Sequence, residues 1–216
     1  MKNILLSLSA VAVLLIGMAS CNTNYGTIDT GKANAHYDGN MYEYLQSNSY
    51  DWDSVRVMVE RAGMTDYFKS ETFTFLGPTN HTIRRMLYSY LGKNGALAQL
   101  TDECCKDFVE MHIVEGKKIL RDDIPRGVVN NSILAGGMFV TTKGGVTFAL
   151  WTEQGSYQDI EGVGAVNIYV SAGDATTRVL TGTRIPVISG DIQPDNGVVQ
   201  ALTYNYIPSF TVVTNP

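Results

Sequence analysis

Charge is scarce in this chain. Only 17% of its 216 residues are Asp, Glu, Lys or Arg, against roughly 25% in an average globular domain. The balance is acidic, 21 carboxylates to 16 cations. Clustered Lys and Arg are needed to neutralise phosphates, so nucleic acid is excluded as the main partner. Three cysteines are too few for a disulfide framework. Cys104 and Cys105 are neighbours, and adjacent α-carbons lie about 3.8 Å apart, closer than the roughly 4.4–6.8 Å of an ordinary bridge. They read as small core hydrophobes. There is no Cys-x-x-Cys and no paired histidine beside them, so no zinc site is expected. The three histidines, His36, His81 and His112, are far apart. HExxH, GxSxG, P-loop and EF-hand signatures are all missing. Gly162-Val163-Gly164 opens a dinucleotide-loop pattern but lacks its third glycine. The carboxylate pairs Asp102-Glu103 and Asp122-Asp123 are adjacent, and adjacent residues do not share a helical face. The expectation is a protein without catalytic residues, metal or cofactor; an unrecognised hydrolase is the remote alternative.

What is present begins with an address. Lys2 precedes an apolar stretch, Ile4 to Leu15, and then Gly17-Met18-Ala19-Ser20-Cys21. This is the pattern of a secretory signal peptide over residues 1–20, too short for a stable span. Small residues directly before a cysteine resemble a bacterial lipobox, although Met18 replaces the usual Leu. That resemblance implies cleavage before Cys21 and acylation of its thiol and amine; ordinary signal cleavage with a free Cys21 is the other reading. Removing residues 1–20 takes away one cation and no carboxylate, leaving 196 residues of net charge −6. No later stretch is long and apolar enough to span a bilayer. Residues 21–39 read as a polar, lipidated tether.

The domain proper is expected over residues 40–207, helices first and strands later, an α+β pattern with a largely antiparallel sheet. Residues 41–69 look helical, with Ser54 as a cap and Gly63 as a stop. Thr72 to Leu76 reads as a strand ended by Gly77-Pro78. Thr79 or Asn80 then caps a helix through Tyr90. Thr101 opens another, expected to bury Cys105, Phe108, Val109 and His112 before Gly116. Short strands are expected at residues 137–142, 145–152, 165–171, 177–183, 184–189 and 197–204. Residues 208–216 read as an extended tail. Asp53-Ser54-Val55 also matches a three-residue O-glycosylation pattern.

The order of these pieces resembles the fasciclin-like (FAS1) domain. Thr74-Phe75-Leu76-Gly77-Pro78-Thr79-Asn80 is similar to its first motif, Met111-His112-Ile113-Val114-Glu115-Gly116 to the segment closing its central helix, and Ile185 to Ile192 to the strand leading into its last motif. Asp191-Ile192-Gln193-Pro194-Asp195-Asn196-Gly197-Val198-Val199-Gln200 looks like that last motif, with Asn196-Gly197 suited to a type I′ turn. Gln200 stands where the family usually has histidine, Met111 where it has tyrosine, and residues 155–174 do not align. The resemblance implies a β-sandwich wedge with N-terminal helices packed on it, and an adhesive, non-enzymatic role. It also implies that Thr74, Pro78, Thr79, Asn80, His112, Asn196 and Gly197 mainly hold the fold.

Twelve tyrosines and two tryptophans supply flat apolar faces with polar rims, suited to protein or sugar contact. Trp151, Tyr157, Tyr204 and Tyr206 are the candidate binding surface. Two roles compete. One is a cell-envelope adhesion module, attached to the outer membrane through Cys21 and contacting an envelope protein or glycan, as in Bacteroidetes-type lipoproteins. The other is an accessory lipoprotein of a TonB-dependent (SusCD-like) nutrient importer.

Overall fold

A computed structural model describes residues 34–215. The expected signal peptide, Cys21 and the tether as far as residue 33 lie outside the described residues. From Ala35 onward the chain forms one compact unit.

Its elements are β1 (His36–Tyr37), α1 (Met41–Ser47), α2 (Ser49–Arg61), α3 (Thr65–Ser70), β2 (Phe73–Gly77), α4 (Asn80–Leu91), α5 (Asp102–Glu110), β3 (Ile113–Glu115), β4 (Gly127–Asn130), β5 (Ile133–Gly136), β6 (Met138–Thr141), β7 (Thr147–Gln154), β8 (Val166–Ala172), β9 (Ile185–Pro194) and β10 (Gly197–Leu202). Residues 41–69 are thus three helices, separated by their own caps. Asn40 and Glu43 form a reciprocal capping box at the start of α1, satisfying two amides that would otherwise lack partners. Asn48, not Ser54, caps α2; Ser54 lies inside that helix. Gly63 at φ 66° ends the turn after it, a left-handed position suited to glycine. Thr101 caps α5 by accepting from the Cys104 amide at 3.1 Å. That helix ends at Glu110, earlier than expected, because Ile113–Glu115 is taken up as a strand beside β2.

The main sheet runs β3-β2-β10-β9-β8-β7-β6, with β1 paired to β9. Most neighbours are antiparallel, but β2 and β10 run parallel, Phe73 opposite Gly197 and Gly77 opposite Ala201. Alternation along these two central strands sends successive side chains to opposite faces. Phe73, Phe75, Val199 and Ala201 meet the helices, packing with Leu45, Val55, Met58, Phe68, Ile83 and Phe108. Leu76 and Leu202 face the other way, into a second core with Phe148, Leu150, Val170 and Ile185. Burying one such aromatic or leucine side chain contributes roughly 1.5–3 kcal/mol, so the helical layer is held chiefly by this floor.

Several expectations need correction. Residues 177–183 make only isolated bridges, Ile133 to Val179 and Gly173 to Leu180. The β4–β5 hairpin was not foreseen. It turns on Asn131 and Ser132 at φ 48° and 63°, both positive as a type I′ turn requires but without the glycine that would announce it. Conversely, Asn196 and Gly197 are not among the positive-φ residues, so they do not make that turn. The tether expectation fails at its end, since His36 and Tyr37 already pair with Gln193 and Pro194. The extended C-terminal residues lie against the domain. Phe210 and Val212 pack on the helical core, and the Asn215 side chain donates to the carbonyls of Ala98 and Leu100 at 3.1 and 2.9 Å.

Candidate interaction surface

Polar side chains buried at strand and helix junctions need partners, and the motif residues find them inside the fold. Thr74, fully buried, donates its hydroxyl to the Lys117 carbonyl at 2.7 Å and accepts from the Ile119 amide at 2.8 Å. Pro78 and Thr79 are buried at the start of α4; Thr79 occupies the cap position without a side-chain cap bond. Asn80 reaches across to α2. Its Oδ1 accepts from the Ser54 amide at 2.7 Å, and its Nδ2 donates to the carbonyls of Ser49 and Tyr50 at 2.9 and 2.7 Å. Asn196 does the same for the first and third helices. It accepts from the Met41 amide at 2.7 Å and donates to the carbonyls of Phe68 and Glu71 at 3.1 and 2.7 Å. Asn80 thus ties α2 to the start of α4, and Asn196, between β9 and β10, ties α1 and α3 to the sheet. Gly197 lacks a side chain for reasons of space, since a Cβ there would lie 2.5 Å from the Phe73 carbonyl oxygen.

His112 is fully buried just beyond α5. Its Nδ1 lies 2.7 Å from the Phe108 carbonyl, so the neutral ring carries its proton there and donates it. Nε2 has no partner. Burial pushes the imidazole down to about 4, against the smaller upward pull of the Phe108 carbonyl. It is a neutral structural histidine, edge-on to Tyr206 at 5.7 Å. Gln200 is also buried and fully used. It donates to the Ile119 carbonyl and to Asp191 Oδ1 at 2.9 and 3.0 Å, and accepts from the Asp191 amide at 3.1 Å. It thereby fixes the irregular register between β9 and β10. Cys104 and Cys105 are free and buried, and burial pushes the Cys105 thiol up to about 11, away from reactivity. Among the described residues, no cluster of His, Cys, Asp and Glu is fit to hold a metal ion.

The aromatic set does not form one surface. Trp151 is wholly buried beneath the β4–β5 hairpin, packed with Leu134, and donates its indole N–H to Glu153 at 2.7 Å. Tyr206 is buried in the second core. Those two are therefore withdrawn as binding residues. Their spacing near the unaligned segment and the last strand carried no information on which way each would point. Tyr157 and Tyr204 are exposed, at 63% and 52%, but in different settings. Tyr157 stands on a hairpin between β7 and β8. There it exchanges two backbone hydrogen bonds with Ile160 across Gln158 and Asp159, both at positive φ, and this projects Tyr157, Ile160 and Val163 into solvent. Tyr204 packs on His81 at the start of α4, ring centres 6.2 Å apart. Sequence reasoning missed the outer face of α4. Arg84, Arg85, Tyr88 and Ser89 form with Ile207 a groove of about 660 Å³. The spacing Arg84, Arg85, Tyr88 is one helical turn, the signal by which the face could have been found.

No curated protein matches the chain. It resembles a solved structure of a FAS1 domain pair from the insect cell adhesion molecule fasciclin I, with 15% identity and a TM-score of 0.50 over 76% of this chain and 49% of that one. The chain thus spans about half the length of that domain pair, and at this identity the likeness speaks to fold alone. The fasciclin domain family matches residues 51–204, a stretch that runs from α2 through β10 and takes in Thr74, Asn80, His112, Asn196 and Gly197. This chain belongs to the fasciclin domain family.

Proposed function

We propose that this protein is a non-catalytic contact module of the bacterial cell envelope, held to the outer membrane by acyl chains on Cys21. Domains of the family are generally adhesion-related and not enzymes. One observation carries the reading: the side chains of Thr74, Asn80 and Asn196 are consumed by structural hydrogen bonds, while exposed apolar side chains gather in two places, Tyr157, Ile160 and Val163 on one hairpin and Tyr88, Tyr204 and Ile207 around α4, and such groups are suited to binding partners. Exposed clusters of this kind mark interaction surfaces. The partner is an envelope protein or a glycan, and the sheet adopts the sandwich wedge implied by the family. The Bacteroidetes-type assignment, and a narrower role as accessory subunit of a TonB-dependent importer, belong to the same reading.

The test is gentle detergent extraction of the tagged protein from its own membrane. Wild-type protein is expected in the membrane fraction with an acylated Cys21 peptide in mass spectra, and Cys21→Ala in soluble fractions. Membrane retention of Cys21→Ala would sink the anchor. Co-purification of a stoichiometric barrel complex supports the importer role, and recovery as a lone monomer counts against it.

A further inference from the structure

Carboxylates are unevenly placed along the chain. Between Asn80 and Thr101 there is none, while Arg84, Arg85 and Lys93 are present; from Gly197 to Pro216 there is no charged residue at all. All 21 carboxylates of an acidic chain lie elsewhere. The fold brings these two acid-free stretches together. Thr82 donates to the Thr203 carbonyl at 3.3 Å, Arg85 to the Asn205 side chain at 2.8 Å and Tyr90 to the Pro208 carbonyl at 2.9 Å. The Thr101 amide donates to the Val213 carbonyl at 3.0 Å. The resulting surface carries apolar groups beside its cations, with Tyr88 at 65%, Tyr204 at 52% and Ile207 at 39% exposure. No ion pair among the described residues involves Arg84 or Arg85.

Cations with no acidic partner, flanked by tyrosines and an exposed isoleucine, match the chemistry of a lipid–water interface. Tyrosine rings sit at headgroup level, arginine stems lie along apolar surface while their heads reach phosphates, and each cation near an anionic leaflet strengthens association about fivefold. We propose that the face built from α4 and residues 204–208 docks the domain on an anionic phospholipid surface. The inference rests on the lipid-anchor reading, which puts such a surface within reach. Asn34 is thirteen residues beyond Cys21, and a chain of that length spans at most about 45 Å. Because the anchor supplies proximity, a weak patch suffices. The remaining acidic surface is repelled from the same leaflet, so the patch also sets which side faces the lipid.

The test uses the full protein extracted from its own membrane and reconstituted into vesicles of phosphatidylcholine alone, or of phosphatidylcholine and phosphatidylglycerol in equal parts. Tyrosine nitration is followed residue by residue by mass spectrometry. Nitration of Tyr88 and Tyr204 is expected to slow roughly tenfold in the anionic vesicles at low salt, while Tyr157, on its own hairpin, stays unchanged. Arg84→Gln with Arg85→Gln, which removes two cations and should weaken docking about thirtyfold, is expected to restore the rate while the protein still unfolds cooperatively in detergent. Equal nitration in both lipids overturns the proposal, as does shielding of Tyr157 alongside the others. Shielding that grows with protein density at fixed lipid composition reassigns the face to a second copy of this chain and also overturns it. An unacylated Cys21 in the purified protein refutes the anchor instead; flotation of that unacylated protein with the anionic vesicles then decides the face on its own, supporting it if the protein floats and overturning it if not.

Discussion

The neutral burial of His112 makes acid the natural perturbation of this fold. In the unfolded chain the imidazole titrates near its ordinary value of about 6.5; in the folded chain burial holds it at about 4. The folded pKa is the lower one, so the folded state resists the proton. The stability that comes from excluding it is complete above about pH 6.5 and disappears as pH falls toward about 4. Across that window the unfolded chain binds one more proton, which costs the fold about 1.4 kcal/mol per pH unit and about 3 kcal/mol in all. This is a large part of a typical 5–15 kcal/mol total. The cause is local: the charged ring would place a proton on Nε2, which has no acceptor, against Phe108 and Tyr206. The assay is urea unfolding followed by fluorescence at steps from about pH 7.5 to about pH 4.5, on wild type and His112→Asn. Asn retains an amide able to donate to the Phe108 carbonyl but does not titrate. Carboxylates held below their ordinary range, such as Glu115 beside Lys143 and Tyr67, add acid sensitivity to both proteins and drop out of the difference. The wild type is expected to lose about 2.5 kcal/mol more than the variant between those two pH values. Parallel loss in the two proteins would show that His112 does not carry the effect.

Other outcomes follow from the same geometry. Asn80→Ala removes three hydrogen bonds that hold the first turn of α2 and is expected to cost about 2–3 kcal/mol in chemical denaturation, with Asn196→Ala similar. Gly197→Ala pushes β10 away from the Phe73 carbonyl and should cost about 1–3 kcal/mol by the same assay. Trp151→Ala empties a buried site, with an expected loss of about 3–5 kcal/mol. Tyr157→Ala on the exposed hairpin should stay within about 0.5 kcal/mol; equal losses in those two would contradict their placement.

The fold was legible where period and punctuation coincide. Ile83, Met86 and Leu87 repeat at helical spacing and bury as expected, and the Thr101 cap was readable because its hydroxyl precedes an apolar stripe. The β4–β5 hairpin was not readable, because Asn131 and Ser132 adopt left-handed backbone without glycine. Asn196-Gly197 misled for the opposite reason. The pair looks like a turn, yet the asparagine is a clamp and the glycine a clearance for a neighbouring strand, and both roles depend on Phe73 and Met41, more than a hundred residues away. The exposure of the tyrosines was half legible. Tyrosine content pointed to contact, but whether Tyr157 or Tyr206 faces solvent is decided by tertiary packing, which alternation within a short segment cannot reveal.

The parallel pairing of β10 with β2 sets an order of events during synthesis. The floor under the helices includes Val199 and Ala201, supplied by the last strand of the chain, while β2 partners it from residues 73–77. A chain emerging from its amino end can form its individual helices early, but it has no complete surface to lay them on until nearly two hundred residues have appeared. Long-range pairing of that kind is slow to form, so the helical half must wait, with Phe73, Phe75 and Phe68 uncovered, for β10 to arrive. That interval is when the protein is most open to aggregation and most dependent on chaperones.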